Sequence, residues 1–344
     1  MLRGAIIGLG NVGREVHVPA WARRDDVEII AASDADAARR QVAAASLPAA
    51  RWYDSAEELL AREGLDFIDI CTPPSSHGPL VCQALEGSLH VFCEKPLVIR
   101  REELDRVTAL AETKRRVVHT VHNWHHAPVI KRTTDLVREG AIGRLTRVAW
   151  RTLRTQPAAA AGNGNGTNWR LDPALAGGGI LTDHGWHAFY LVAGWIADTP
   201  TSLSARLDQR GPIRLAVEDT ATVNVTFADA TAEIFLTWAA DRRENVAELI
   251  GKDGRIELRG ETLTLERNGH VQRWTCPPSL SNGSVHPDWF DPEVAQFLDA
   301  VTRTPPHGNL AEAWLCGVLE SAARESGRRG GQPVAVPALP LPRA

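Results

Sequence analysis

Two glycine-bearing stretches hold residue types that chemistry needs. In "GGGILTDHGWH" (177–187) three glycines precede Asp183 and His187, which stand four residues apart. On a helix beginning near Ile180 that spacing puts carboxylate and imidazole on one face, where they can meet or aim at one ligand. An imidazole, with an ordinary pKa of about 6.5, exchanges a proton near neutrality, and a nearby carboxylate orients it and stabilises its charged form. The glycines ahead of the pair would let backbone approach a cofactor or substrate without side-chain obstruction. The same spacing also serves a plain histidine–carboxylate contact on a packed helix.

The other stretch is "GLGNVG", where Gly8, Gly10 and Gly13 enclose Asn11 and Val12. It directly follows an apolar strand and opens a helical pattern, the context that gives G-x-G-x-x-G a mechanism. Gly8 permits the tight turn, Gly10 lets backbone reach a pyrophosphate, Gly13 lets the helix pack closely, and amides at the helix start meet the phosphate charge. Twenty-one residues past Gly13, beside Ser33 in "AASDAD", stands Asp34. A carboxylate there accepts the adenosine ribose hydroxyls and repels a 2′-phosphate. NAD is therefore expected in preference to NADP, although Arg39 and Arg40 lie near enough to pair a phosphate.

These residues need elements to position them. From residue 4 to about 122 short β-branched runs (4–8, 27–33, 51–53, 67–72, 90–94, 117–122) alternate with helical stretches near 12–24, 35–45, 55–63, 76–87 and 101–115. That alternation predicts parallel βαβ units in a doubly wound sheet. Pro19 should interrupt the first helix near Val18. After a helical stretch near 127–139, strand runs follow one another (144–154, 220–227, 231–238, 246–251, 255–258, 262–266), several separated by turn pieces such as "KDG" and "NG". Helices near 292–303 and 310–327 close the chain. The expected fold is α/β: a dinucleotide-binding domain over 1–123 and an α+β domain over 124–344 on a largely antiparallel open sheet. Its alternating strands would leave one face apolar in a monomer, which calls for a homodimer or homotetramer paired face to face. The glycine-rich segment 158–169 reads as a surface connection or a lid over the site.

Composition narrows the function classes. The 344 residues are 44% hydrophobic and 23% charged with a formal net charge of −4, and no basic run suggests nucleic acid or an anionic membrane. No apolar run reaches the roughly 18 residues of a membrane helix. The N-terminus enters a strand rather than a signal peptide, so a cytoplasmic location is expected by default. Five cysteines without CxxC spacing form neither a disulfide framework nor a thiolate zinc site. His184 and His187, with His122, His125 and His126, could supply zinc ligands in principle, but they lack HExxH spacing, and no metal is expected. The remaining histidines, His17 and His119 among them, read as ordinary strand, loop or helix-end residues. Among eleven tryptophans, Trp124, Trp169 and Trp186 fall beside the motifs, where a ring can stack on a sugar's C–H face or simply fill the core.

From "CEKP" (93–96) onward the chain resembles the Gfo/Idh/MocA oxidoreductases. The resemblance runs through "HVPA" (17–20), "CTPPSSH" (71–77), "HVFCEKPL" (90–97), "HN" (122–123), "EGAIG" (139–143), "WRLDPALAGGGILTDHGWH" (169–187) and "EDTATVNVTF" (218–227). It implies a Rossmann domain, a C-terminal sheet domain often used for oligomerisation, and hydride transfer between NAD and a secondary alcohol of a sugar, sugar derivative or cyclitol. By resemblance Lys95 matches the family's catalytic lysine, and Asp183 and His187 its D-x-G-x-H pair. Thr72, Pro73, Pro74, His77, Glu94 and Asn123 match cofactor-facing positions, and Trp169–Arg170 a pair near the nicotinamide. Lys95 would also touch cofactor and substrate, and Trp124, Trp169 and His184 would join Lys95, Asp183 and His187 around the substrate. The large His184 and Trp186 and the histidine-rich "NWHH" depart from the usual pattern. In this reading His187 is the base, Asp183 its partner or a hydroxyl acceptor, and Lys95 stabilises the developing alkoxide. An NAD-recycling glycosidase or epimerase-like enzyme and a non-catalytic NAD sensor are the alternatives.

Overall fold

The computed structural model describes residues 1–159, 168–283, 286–303 and 308–338. Strands β1 (Leu2–Ile7), β2 (Val27–Ser33), β3 (Arg51–Tyr53), β4 (Phe67–Ile70), β5 (His90–Cys93) and β6 (Val118–Thr120) form a parallel sheet ordered β3-β2-β1-β4-β5-β6. Helices α1 (Val18–Ala22), α2 (Arg39–Ser46), α3 (Ala56–Arg62), α4 (His77–Glu86) and α5 (Arg101–Lys114) connect them. β4 is buried at every position, as a strand covered on both faces must be. The strand order reverses between β1 and β4, and a crevice opens beyond their carboxyl ends, the place where such sheets bind ligands.

The expected interruption at Val18 takes the form of a wide turn. Gly13–His17 is π-helical, and α1 restarts at Val18 with Pro19 in its first two positions, where a missing amide costs no intrahelical bond.

The second region contains α6 (Pro128–Arg138), α7 (Pro173–Ala176), α8 (Trp186–Ile196), α9 (Asp291–Thr302) and α10 (Leu310–Arg328). Its strands are β7 (Leu145–Leu153), β8 (Ser202–Asp208), β9 (Thr220–Thr226), β10 (Thr231–Thr237), β11 (Glu244–Gly251), β12 (Gly254–Arg259), β13 (Thr262–Arg267), β14 (His270–Thr275) and β15 (Val334–Ala335). They are ordered β14-β13-β12-β11-β7-β10-β9-β8-β15, with β7 and β10 parallel and the other pairs antiparallel. The six runs read from the sequence are all strands; β8, β14 and β15 extend the two edges.

The outward face of this sheet corrects one expectation: it is not apolar. The apolar side of each strand (Trp150, Ile234, Leu236, Leu249, Leu258) is buried in the main core together with residues of α6, α8 and α10. On the other side Arg147 lies 3.7 Å from both Glu233 and Glu248, Arg255 pairs with Glu266 at 2.9 Å, and Arg259 with Glu244 at 3.1 Å. Alternation thus separated a helix-covered face from an ion-paired one.

Although α9 comes from the C-terminal part of the chain, it packs back on the first sheet. Val294, Phe297 and the preceding Phe290 share a cluster with Val16, Trp21, Phe67 and Phe92. Residues 160–167 of the glycine-rich segment lie outside the described residues, as does His307.

Candidate active site

A cleft of about 1260 Å³ follows the carboxyl ends of β1, β2 and β4. Gly8 sits at φ +99°, and a Cβ there would come 2.7 Å from the Cys71 carbonyl carbon, so only glycine makes this turn. A Cβ on Gly10 would meet no atom within 4 Å, so the space before its backbone is open, as a phosphate cradle requires. Gly13 differs: its Cβ would strike the Gly8 carbonyl oxygen at 2.3 Å, so it serves helix packing and does not line the cleft. Asn11 and Val12 line it beside Gly8 and Gly10, Ser33 and Asp34 line its β2 side, and Thr72 and Pro73 belong to the loop after β4. Asp34 is held in place: Oδ2 accepts the Leu9 amide at 2.6 Å and Oδ1 the Asp36 amide at 2.8 Å. Arg39 also lines the cleft, with Nε 3.5 Å from the Asp36 carboxylate. These residues fit a dinucleotide.

One cofactor-facing expectation fails. His77 is 1% exposed and lines neither the cleft nor the cavity beyond it; its ring nitrogens lie 2.7 Å from the Pro96 carbonyl and 2.8 Å from that of Thr72. It ties the loop after β4 to the loop after β5 from behind, because the first turn of α4 points it into the core.

The cleft continues into a smaller cavity of about 180 Å³, the two sharing Val12, Cys71, Thr72, Gln156, Ala158, Trp169, Arg170 and Arg243. Pro74, Glu94 and Lys95 line it from the first region, Asn123 and Trp124 from the segment after β6, and Asp183, His184 and His187 from the second. The larger space suits a dinucleotide and the smaller one only a small molecule.

Within this cavity Lys95 Nζ donates to the Asp183 carbonyl oxygen at 2.7 Å and lies 3.4 Å from its Oδ1. Asp183 is further flanked by Arg170 at 3.9 Å and His184 at 3.6 Å. Burial works to raise the Asp183 pKa, but His184, Lys95 and Arg170 outweigh it, and the carboxyl is held well below the usual range. Burial also dominates at His184, pulling it down to about 3 against the attraction of Asp183. His187 is pushed well below 6.5 by burial first and by Lys95 second, so its ring is neutral at neutral pH.

Of the two arrangements the spacing allows, Asp183 and His187 do not bond each other but face one cavity. Leu181–Gly185 is a π-helical turn, and α8 begins only at Trp186, so the two side chains are not on an ordinary i, i+4 face. His187 instead shares a 2.8 Å hydrogen bond through Nδ1 with the Tyr190 hydroxyl and stacks on Trp124 at 4.1 Å and 6°. The Tyr190 oxygen also accepts the Trp124 amide at 3.2 Å. Both Asp183 and His187 face one cavity, each fixed by different partners.

The glycines at 177–179 answer mainly to the protein itself. Gly177 has φ +78°, a Cβ on Gly178 would fall 1.8 Å from Arg324 Nη2, and one on Gly179 would fall 1.8 Å from the Glu218 carbonyl oxygen. Gly178 and Gly179 line the cavity as well, so the close packing and the clear approach coincide.

The histidines divide differently from their sequence reading. His17 is fully buried with Nδ1 2.9 Å from Asp69 and Nε2 3.1 Å from Glu94. Burial opposes its charge, yet Asp69 and Glu94 raise its pKa to about 9. Glu94 is therefore anchored from beneath; its Oε2 accepts the Lys95 amide at 3.1 Å. His122 and His125 bind Glu312 of α10 at 2.5 and 3.0 Å, while His119 and His126 flank Glu293 of α9 at 2.8 and 3.3 Å. The ligand-type atoms of His122, His125 and Glu312 lie within 4.8 Å of one another. The Trp186 indole N–H, however, donates to His122 Nε2 at 2.9 Å, which puts the ring proton on Nδ1 facing Glu312 rather than leaving a lone pair there. Trp186 itself is fully buried, whereas Trp124 and Trp169 line the cavity, Trp169 beneath the Arg170 guanidinium at 4.3 Å.

Residues to which the sequence reading gives no site role also line the cavity: Arg154 one residue beyond β7, Arg243 just before β11, and His286, read as an ordinary histidine. Their positions at strand ends and in loops carry no motif. Tyr190 was legible in principle as i+3 from His187 on α8.

The comparisons agree with this geometry. Residues 2–122 match the oxidoreductase-family model for an NAD-binding Rossmann fold, and residues 130–257 the GFO/IDH/MocA C-terminal domain. The chain is 28% identical over 298 residues to D-apiose dehydrogenase of Paraburkholderia graminis, covering 82% of this chain and 75% of that one. Levoglucosan dehydrogenase, solved with NADH and levoglucosan, superposes with a TM-score of 0.84 at 20% identity over 98% of this chain and 100% of the other. An oxidoreductase from Agrobacterium radiobacter, solved with NAD+, L-tartaric acid and magnesium, gives 0.83 at 22% identity over 97% and 98%. Among the described residues no helix is long and apolar enough to cross a membrane. With a glycine-turned cleft at the reversal of its first sheet and both family domains in order, this chain belongs to the Gfo/Idh/MocA oxidoreductases and carries their NAD-binding Rossmann domain.

Proposed function

We propose that the protein is an NAD-dependent dehydrogenase that oxidises a secondary alcohol of a sugar, sugar derivative or cyclitol. The observation that carries this reading is the placement of Lys95, Asp183 and His187 around one small cavity continuous with the dinucleotide cleft. The names of the relatives, D-apiose dehydrogenase and levoglucosan dehydrogenase, are in keeping with it. Asp34, fixed by two amides, favours NAD because a 2′-phosphate would meet its negative charge.

Bound NAD supplies the hydride acceptor. Lys95 Nζ, steered by Asp183, donates to the reacting oxygen and stabilises negative charge as it develops there. His187 takes the hydroxyl proton. The base-competent tautomer places its Nδ1 proton on the Tyr190 oxygen, whose second lone pair accepts the Trp124 amide, and leaves the Nε2 lone pair for substrate. Stacking on Trp124 fixes the ring plane. The carboxylate of Asp183, held ionised, accepts a hydrogen bond from a neighbouring substrate hydroxyl. A homodimer or homotetramer would use the outer face of the large sheet, where Arg147, Glu233, Glu248, Arg255 and Glu266 offer both signs of charge to a second copy.

The test is a polyol and sugar screen read by the near-ultraviolet absorbance of reduced nicotinamide. Net reduction of added NAD, lost in Lys95→Ala and His187→Ala, supports the reading. Turnover without net reduction points to an NAD-recycling enzyme, and function that survives both substitutions but not Asp34→Ala points to a sensor.

A further inference from the structure

The small cavity is more basic than a neutral polyol calls for. Lys95, Arg154, Arg170 and Arg243 line it, against the carboxylates Glu94 and Asp183. Both carboxylates are engaged: Glu94 by His17 at 3.1 Å, and Asp183 by Lys95 at 3.4 Å with Arg170 at 3.9 Å. In a chain with a formal net charge of −4 this is a local concentration of positive charge.

Arg154 is the telling residue. It is 1% exposed, and its hydrogen-bond acceptors are all neutral: the Leu153 and Glu244 carbonyls from Nη1, and Asn245 Oδ1 from Nη2. Its Nε is buried with no hydrogen-bond partner among the described residues. Burial and then the charge of Arg243 pull it down to about 9, with Asp183 working the other way. A buried guanidinium repelled by a second positive charge is further stabilised when an anion arrives to offset the lost hydration. Three of its five N–H groups are used, which leaves Nε and one Nη2 proton without an acceptor, and Nε and Nη2 together form one edge of the planar fork. That edge matches the two oxygens of a carboxylate. Arg243 lines both the cleft and the cavity and donates to the Ser281 and Gly283 carbonyls. The cofactor's phosphates are its rival ligand, but Arg154 lines only the inner cavity and is not explained by them.

We infer that the substrate is a polyhydroxy acid or sugar acid, its carboxylate received by Arg154 with Arg243 beside it, while Lys95, Asp183 and His187 hold the hydroxyl to be oxidised. The inference rests on the dehydrogenase reading for the identity of the cavity.

The experiment titrates NADH-loaded protein calorimetrically with matched pairs: D-gluconate against D-glucitol, D-galactonate against D-galactitol, and methyl D-glucuronide against methyl D-glucoside, with D-glucitol 6-phosphate as a phosphate arm. An alcohol cannot be oxidised by NADH, so binding alone is read. At least one acid should bind ten-fold or more tighter than its neutral partner, and that advantage should fall below three-fold in Arg154→Gln and partly return in Arg154→Lys. Equal binding within every pair, an advantage that survives Arg154→Gln, or tighter binding of the phosphate than of any acid would overturn the assignment. Should Arg154→Gln fail to fold, Arg243→Gln decides: a loss of three-fold or more in acid affinity supports the inference, and weaker NADH binding with unchanged acid preference overturns it. NADH binding without acid preference defeats this inference alone; absence of NADH binding defeats the dehydrogenase reading as well.

Discussion

In the dinucleotide cleft the working groups are backbone at Gly8, Gly10, Asn11 and Val12 and the carboxylate of Asp34, all within one strand–turn–helix–strand unit. In the inner cavity they are long side chains brought from positions 95, 124, 154, 170, 183, 187 and 243. The first region depends on the room left by missing side chains, and it is a local device. The second depends on burial and on charges that balance one another across segments far apart in the chain, so a change at one member shifts the state of the rest.

The sharpest way to separate the two is Lys95→Ala. It should lower kcat/KM by about 10³-fold, the scale of a lost donor to a developing oxyanion, while the NAD dissociation constant changes less than ten-fold. Titration of the wild type and the variant with NAD, alongside steady-state rates, checks both halves.

His17 lies beneath both regions, and its effect should appear in stability. Its folded pKa of about 9 exceeds the ordinary 6.5, so its contribution is fully present below pH 6.5 and is lost as pH rises through 9. The shift corresponds to roughly 3 kcal/mol. Denaturant unfolding of wild type and His17→Gln at intervals from pH 6 to 9.5 should show that slope in the first and not in the second.

Asp34→Ala should damage only the cleft. NAD affinity should drop by about 10²-fold, with the preference over NADP relaxed and kcat at saturating cofactor within a few-fold of wild type. An equal loss of kcat would show that the two regions are coupled more tightly than their geometry implies.

The smallest effect belongs to Tyr190→Phe, which removes the oxygen that accepts from Trp124 and orients His187. A roughly ten-fold fall in kcat is expected with KM nearly constant. In the wild type the acid limb of kcat/KM assigned to His187 should lie well below pH 6.5, because burial disfavours its charged form. An acid limb at or above 6.5 would remove His187 from the base role.

Much of this was legible in the residues themselves. The β1–Gly8–Gly13 unit and Asp34 carry their own geometry, and the alternation of short strands and helices predicted the first sheet. The runs at 144–154 and 220–266 predicted the second as far as its interior strands, while β8, β14 and β15 lay outside them. The misplacements share a cause. His77 and the ordinary helical face expected for Asp183 and His187 follow from spacing along the chain, and spacing does not reveal a π-helical turn or the direction in which a helix start faces. The outer face of the large sheet went wrong because strand alternation was read without the helices that cover its apolar side.

By itself the sequence determined what depends on neighbours in the chain: the glycine turn, the carboxylate at the end of the second strand, the family motifs and the two kinds of sheet. Only the tertiary structure decided which charges face each other. Arg154 and Arg243 stand at separate strand ends and carry no motif, and each is unremarkable until the sheet packs against the first domain. There burial withdraws water from the guanidinium of Arg154, and the interaction between charges becomes strong enough to select what enters.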